Sequence, residues 1–177
     1  PRIPLRYHRR KDGSLFPAEI SASTFMLKGR AVACGIVRDI TSRKQAEEVL
    51  RRREQELADF FAESPLGLLW VGPDGRILRV NRAELELVGR RGEEVFGRPV
   101  AELHAEAACA ADLLKRLAQR EPVQNHRARL RHKDGTTREV LIDANGLWDG
   151  NRLVHSRWFT RDITRRVELE REILAIS

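Results

Sequence analysis

The side chains able to do chemistry are few and scattered. Cys34 and Cys109 are the two cysteines of the 177-residue chain, and neither belongs to a Cys-x-x-Cys pair. No His/Cys cluster has zinc-ligand spacing, so both cysteines read as small reduced hydrophobes, which fits the cytoplasm. Asp59 and Glu63 stand four apart in a helical stretch, an ordinary spacing for surface carboxylates. There is no P-loop, kinase nucleotide-binding motif, Gly-x-Ser-x-Gly or His-Glu-x-x-His. A catalytic centre and a metal site are therefore not expected. The polar motif with a mechanical rationale is Arg38-Asp39-Ile40-Thr41, which recurs as Arg161-Asp162-Ile163-Thr164. Where a strand turns into a helix, a carboxylate and a hydroxyl can satisfy the free backbone N–H groups of the helix start. Strain in a sheet could then bias how the helix leaves it.

The elements that position this motif are themselves repeated. His8-Arg9-Arg10-Lys11-Asp12-Gly13-Ser14 returns as Leu130-Arg131-His132-Lys133-Asp134-Gly135-Thr136, about 122 residues later. Ile20 and Ala22 match Ile142 and Ala144, and the turn Lys28-Gly29-Arg30 matches Asp149-Gly150-Asn151. That period is too long for a solenoid and suits tandem copies of one domain. Asp-Gly between alternating runs is a hairpin signal. Each copy is expected to end in three antiparallel strands, in the second copy near 123–132, 137–147 and 152–163. Ahead of the second copy, Leu66–Val71 reads as an apolar strand, Gly72-Pro73-Asp74-Gly75 as a turn, and Arg76–Asn81 as another strand. Arg82–Val88 reads as a short helix and Arg91–Val100 as helical turns and loops. Ala105–Arg120 reads as a helix stopped before Pro122. The order predicts an α+β fold with one antiparallel sheet and helices over one face.

Composition sets the outer bounds. Apolar residues are 41% and charged residues 33% of the chain, a globular balance, and no apolar run approaches the roughly 18–20 residues of a membrane span. No membrane contact is expected in this segment. The net charge is +7, but the basic residues are scattered apart from Arg51-Arg52-Arg53, so nucleic-acid binding is not expected. The chain opens inside a strand pattern and is expected to be a piece of a longer protein.

The order of elements resembles a PAS domain. The resemblance is carried by Pro73-Asp74-Gly75, Val80-Asn81, Phe96-Gly97-Arg98-Pro99, Lys133-Asp134-Gly135-Thr136 and Arg161-Asp162-Ile163-Thr164. It implies a five-stranded antiparallel sheet with helices over one face and flanking signalling helices. It divides the chain into the last three strands of a truncated PAS domain (1–41), a linker or signalling helix (42–62), a complete PAS domain (63–164) and the start of an output coiled-coil helix (165–177).

The resemblance also implies where a ligand would sit. The inner set would be His126, Ala128 and Leu130, then Val140, Ile142 and Ala144, then Ser156, Trp158 and Thr160. Asn81, His126, Leu130, Ile142, Ser156 and Trp158 are the candidate pocket residues. Trp158 stands where the first copy has Gly35, so this interior is expected to be packed shut or to offer Trp158 as a wall for a flat ligand. Haem is disfavoured because the helix at 105–120 carries no His, and a flavin–thiol sensor because Cys109 sits in Ala-Cys-Ala-Ala. An unknown small metabolite near His126 is the ligand left open.

Two helices are the expected working parts, with Asp39, Thr41, Asp162 and Thr164 as transmission residues. Thr41–Phe61 reads as one helix, with Ser42 and Gln45 at capping-box spacing. Leu50 and Leu57 are a heptad apart, with Arg53 between them. Leu169, Ile173 and Ile176 have the four-then-three spacing of a coiled-coil seam. These five residues are the candidate dimer contacts of a homodimer. Residues 167–177 are similar to the stretch before the phosphoacceptor helix of some bacterial sensor histidine kinases, which implies a histidine kinase domain following in cis. The expected function is a sensory and relay region of a two-component sensor histidine kinase. The alternative is a structural dimerisation spacer with a filled core.

Overall fold

The computed structural model describes residues 2–176, with side chains from residue 6 onward. The chain divides within one helix, after Leu57, into two compact units. The first unit is a meander of β1 (Arg2–Arg9), β2 (Leu15–Leu27) and β3 (Arg30–Asp39), followed by α1 (Thr41–Glu63). The β1–β2 turn is built by Asp12 and Gly13. Asp12 accepts the Ser14 N–H at 2.9 Å, and Gly13 sits at φ +88°, which only a residue without Cβ adopts freely. Of the described side chains in this unit, only Ala18 and Ile40 are buried among the apolar residues. Phe25, Met26, Leu27, Ile36 and Val37 are exposed, so this sheet has no covered face of its own.

The second unit repeats the meander and completes it. Its elements are β4 (Gly67–Val71), β5 (Ile77–Val80), α2 (Arg82–Val88), α3 (Gly92–Val95), a 3-10 turn at Val100–Leu103, α4 (Ala107–Ala118), β6 (Val123–Arg131), β7 (Thr137–Asp149), β8 (Arg152–Asp162) and α5 (Thr164–Ile176). The five strands form one antiparallel sheet in the order β5-β4-β8-β7-β6. The β6–β7 turn uses Asp134 and Gly135 as the first unit uses Asp12 and Gly13, with the Thr136 N–H held by Asp134 at 2.8 Å and Gly135 at φ +91°. Alternation along β6, β7 and β8 sends Leu130, Val140, Ile142 and Trp158 to the inner face. There they meet Val88 of α2, Val95 of α3, Leu103, and Leu113 and Leu117 of α4.

The registers of the two meanders superpose. Ala144 lies opposite Trp158 as Ala22 lies opposite Gly35, and Val140 lies opposite Asp162 as Ala18 lies opposite Asp39. Two local expectations are corrected. The helix expected at 105–120 is shorter, because the Ala105 N–H bonds to Arg129 O across to β6, and Arg120 turns left-handed at φ +64°. The Ser42–Gln45 capping box does not begin α1. The helix starts at Thr41, which puts Ser42 inside its first turn, and Asp39 supplies the cap instead. Among the described residues, no helix is long and apolar enough to cross a membrane.

Candidate functional site

Each long helix is rooted in its sheet by the same short motif. Asp39 accepts the Thr41 N–H at 2.9 Å and the Thr41 hydroxyl at 2.6 Å. Asp162 does the same for Thr164 at 2.8 and 2.6 Å. The residue between them ties the helix to the neighbouring strand. The Ile40 N–H donates to Pro17 O at 3.0 Å, and the Ile163 N–H to Glu139 O at 2.9 Å. The Thr41 hydroxyl and N–H, with Arg10 also bonded to the carboxylate, hold the Asp39 carboxyl down at about 2.

The two roots differ at one position. The strand residue is Pro17 in the first and Glu139 in the second. Proline has no N–H to give, whereas the Glu139 N–H donates to Thr164 Oγ1 at 3.0 Å. The Glu139 carboxylate also lies between Arg127 at 3.6 Å and Arg171 of α5 at 3.3 Å. The outgoing helix is therefore held by the backbone and the side chain of one strand residue.

The incoming helix reaches the second sheet through its last turns. Phe61 packs edge-on against Trp70 of β4, with ring centroids 5.7 Å apart. Arg79 of β5 places its guanidinium 4.2 Å from the Phe61 centroid and 4.7 Å from that of Trp70. Trp70 in turn stacks on His155 of β8 at 4.5 Å, nearly parallel at 13°. This ladder crosses β5, β4 and β8 on the face away from α2–α4. His155 is buried on that face beneath Trp70.

A third anchor joins α2 to the strand that follows α1. Asn81 caps α2, accepting the Glu84 N–H at 3.1 Å and the Leu68 N–H at 2.8 Å. Its amide donates to Leu66 O at 2.8 Å. Glu84 lies wholly inside, over Gly67, and neither carboxylate oxygen has a hydrogen-bond partner among the described residues. A Cβ at Gly67 would stand 2.0 Å from Glu84 Oε2, so only glycine leaves room for the carboxyl. Burial pushes that carboxyl up to about 7; the nearby Thr160 hydroxyl opposes the shift without hydrogen-bond geometry.

The candidate pocket residues take different places. Leu130, Ile142 and Trp158 are packed in the core. The Trp158 indole N–H donates to Ser156 Oγ at 2.8 Å, and that hydroxyl donates to Val71 O at 3.2 Å. His104 lies edge-on to Trp158 at 6.0 Å. Asn81 is spent on backbone groups. His126 lines an open groove with Glu106, Cys109, Arg127, Arg129 and Arg171, its Nε2 3.3 Å from Cys109 Sγ. Burial pushes the Cys109 thiol up, with Glu106 and Asp112 adding to the effect, so it is not a thiolate nucleophile at neutral pH. Among the described residues no three His, Cys, Asp or Glu side chains are grouped to hold a metal. Leu50, Leu57, Leu169, Ile173 and Ile176 all project into solvent.

Glu84, Arg79 and Glu139 were not singled out by the sequence. Glu84 stands three residues after Asn81, a spacing that signals an exposed capping box, and so it points away from its actual buried position.

The family model described as the PAS fold matches residues 61–168, and one described as a PAS domain matches residues 6–42. No curated protein matches the chain. Among solved structures, the PAS domain of an HTR-like protein from Haloarcula marismortui is 23% identical, with a TM-score of 0.60, covering 68% of this chain and 99% of that one. A domain of a sensory box sensor histidine kinase/response regulator from Geobacter sulfurreducens is 22% identical, with a TM-score of 0.56, covering 64% and 96%. An RNA-binding Light-Oxygen-Voltage receptor is 14% identical, with a TM-score of 0.60, covering 97% and 80%. These likenesses concern the fold.

Proposed function

The chain belongs to the PAS family, and from that premise we propose that it is a non-catalytic signal-relay segment, working as a homodimer through α1 and α5. One observation carries this reading: both helices grow from a sheet through the same Asp-Ile-Thr root while their apolar stripes face solvent. Leu57 is 70% exposed, and Ile173 64%. A second copy of the chain, aligned in parallel, would cover both stripes at coiled-coil spacing. Residues 1–41 are read as the last three strands of one PAS unit, 42–62 as the connecting helix, 63–164 as the sensing or relaying unit and 165–177 as the output helix. Pro1 and Ser177 lie outside the described residues. The output partner in this reading is a histidine kinase domain in cis, supported by the sequence of α5.

The test is the mass of the full chain by light scattering at tens of micromolar. A dimer is expected, and Leu57→Glu or Ile173→Glu should shift it to monomer. A monomeric wild-type chain sinks the helical-dimer reading.

The second reading is a structural spacer, favoured by Trp158 filling the interior where a ligand would sit. Native mass spectrometry of the purified chain separates the two. A co-purifying small molecule favours sensing; an empty protein that no candidate metabolite stabilises favours the spacer.

A further inference from the structure

The second unit carries a carboxyl that its fold does not satisfy. Glu84 sits in the first turn of α2, where a glutamate ordinarily reaches back to the N–H of the capping residue. That route is closed, because the Asn81 N–H donates to Leu68 O at 3.0 Å. The side chain instead turns inward onto Gly67 of β4 and Thr160 of β8. Both contacts lie at helix roots. Gly67 opens the strand that follows α1, and Thr160 stands just before the Asp162–Thr164 root of α5.

Among the described residues no charged group is held against Glu84 to stabilise its ionised form. On α2, Arg82 is turned outward to Glu86 at 2.9 Å and Glu63 at 3.7 Å. β4 contributes Gly67, which has no side chain. From β8, β7 and α2, Asp162, Arg138 and Glu86 line a groove that shares Gly67 and Thr160 as its wall. Asp162 is engaged with Thr164, whereas Arg138 is half-buried and carries no ion pair among the described residues. An ionised carboxyl held unpaired in the interior is costly, and the groove supplies both water and a cation to relieve it.

We propose that Glu84 is a proton-binding site that reports pH to both helix roots: protonated, it seats α2 on β4 and β8; ionised, it leaves its place over Gly67 for the groove beside Arg138 and loosens the strand ends at 64–68 and 160–164. The step is a proton exchanged with water, with no other reactant. It rests on the relay reading, since it supplies that relay with a stimulus. The position of the carboxyl over Gly67, its lack of a hydrogen-bond partner among the described residues and the raised affinity for a proton that burial causes all point the same way.

The experiment is a carbon-13 titration of the glutamate carboxyls in the full chain, with Glu84→Gln to assign the signal, and amide exchange at pH 6 and pH 8 corrected for intrinsic rates. The Glu84 signal is expected to move near pH 7. Exchange at 64–68 and 160–164 is expected to rise at pH 8 in wild type and to stay level in Glu84→Gln. Relative to that variant, the wild-type unfolding constant should grow about 70-fold from pH 5 to pH 8. A signal that titrates near pH 4.5, or exchange at 64–68 and 160–164 that ignores pH, overturns the proposal. If Glu84→Gln does not fold, the wild-type titration and exchange decide the matter alone. A monomeric chain in which Glu84 still titrates with loosening of both roots removes the dimeric relay and leaves this proton site standing.

Discussion

Arg79 and Trp70 face each other across the β4–β5 pair, with the guanidinium 4.7 Å from the indole centroid. The same guanidinium lies 4.2 Å from the Phe61 centroid, so one cation touches both a helix ring and a strand ring that also meet each other edge-on. Helix α1 therefore ends on the sheet in a three-way cluster of Phe61, Arg79 and Trp70, and Trp70 stacks in turn on His155. A displacement of the incoming helix has a direct mechanical path into three strands.

Arg79→Ala should lower stability by about 1 kcal/mol, the scale of a part-exposed cation–aromatic contact. Amide exchange at residues 58–63 should rise with it. Arg79→Lys keeps the charge but not the plane, so it should recover only part of the loss. If exchange at 58–63 is the same in all three proteins, the Arg79 cluster does not dock the helix.

Trp158 is 1% exposed and fills the position occupied by Gly35 in the first unit. Trp158→Gly should cost roughly 3–5 kcal/mol in a urea melt, the range for removing a large buried aromatic side chain. The vacated interior is apolar apart from Ser156 and His104, so millimolar indole should raise the melting temperature of the variant and not of wild type. A loss below about 1 kcal/mol would mean that the neighbours collapse into the space.

The two helix roots should respond unequally to the same change. Thr164→Val strands the Glu139 N–H, which Thr164 Oγ1 accepts at 3.0 Å, whereas Thr41→Val strands no such group because the equivalent residue is Pro17. Thr164→Val is therefore expected to cost about 1 kcal/mol more than Thr41→Val. The difference should be visible as faster exchange in the first turn of α5 than of α1. Equal effects would show that the Asp–Thr contact alone sets the root.

Two buried groups pull the pH dependence in opposite directions. Glu84 is raised from 4.5 to about 7, so its contribution is full below pH 4.5 and is lost as pH rises toward 7. His104 is lowered from 6.5 to about 4 by burial and by His126, so its contribution is full above pH 6.5 and is lost as pH falls toward 4. Each is worth roughly 3 kcal/mol over its whole window. Their sum is expected to leave wild-type stability nearly flat from pH 4.5 to 6.5. Glu84→Gln unmasks the histidine, giving a stability that climbs through that interval in chemical denaturation. A Glu84→Gln profile parallel to wild type would mean that Glu84 does not titrate in this range.

Much of the fold was legible because its signals are local. Asp12-Gly13 and Asp134-Gly135 build equivalent turns, since a side-chain oxygen two residues away and a positive φ are decided within four residues. The repeated Asp-Ile-Thr read as a strand-to-helix cap for the same reason. Where two local signals competed, the nearer hydrogen bond prevailed. Asp39 reached Thr41 first, which left Ser42 within the helix.

The site residues were less legible. Asn81 was read as a pocket residue by resemblance, yet its side chain is consumed by Ser64, Leu66, Leu68 and Glu84. Glu84 has the type and spacing of a surface cap, and nothing adjacent to it in sequence announces burial. The sequence by itself determined the repeat, the turns, the helix roots and the apolar stripes of α1 and α5, because each depends on neighbours within a few residues. Only the tertiary structure decided that Glu84 is sealed over Gly67, that Arg79 joins Phe61 to Trp70 and that Glu139 grips α5. Those outcomes depend on strands brought side by side from distant parts of the chain, and on the water that their packing removes.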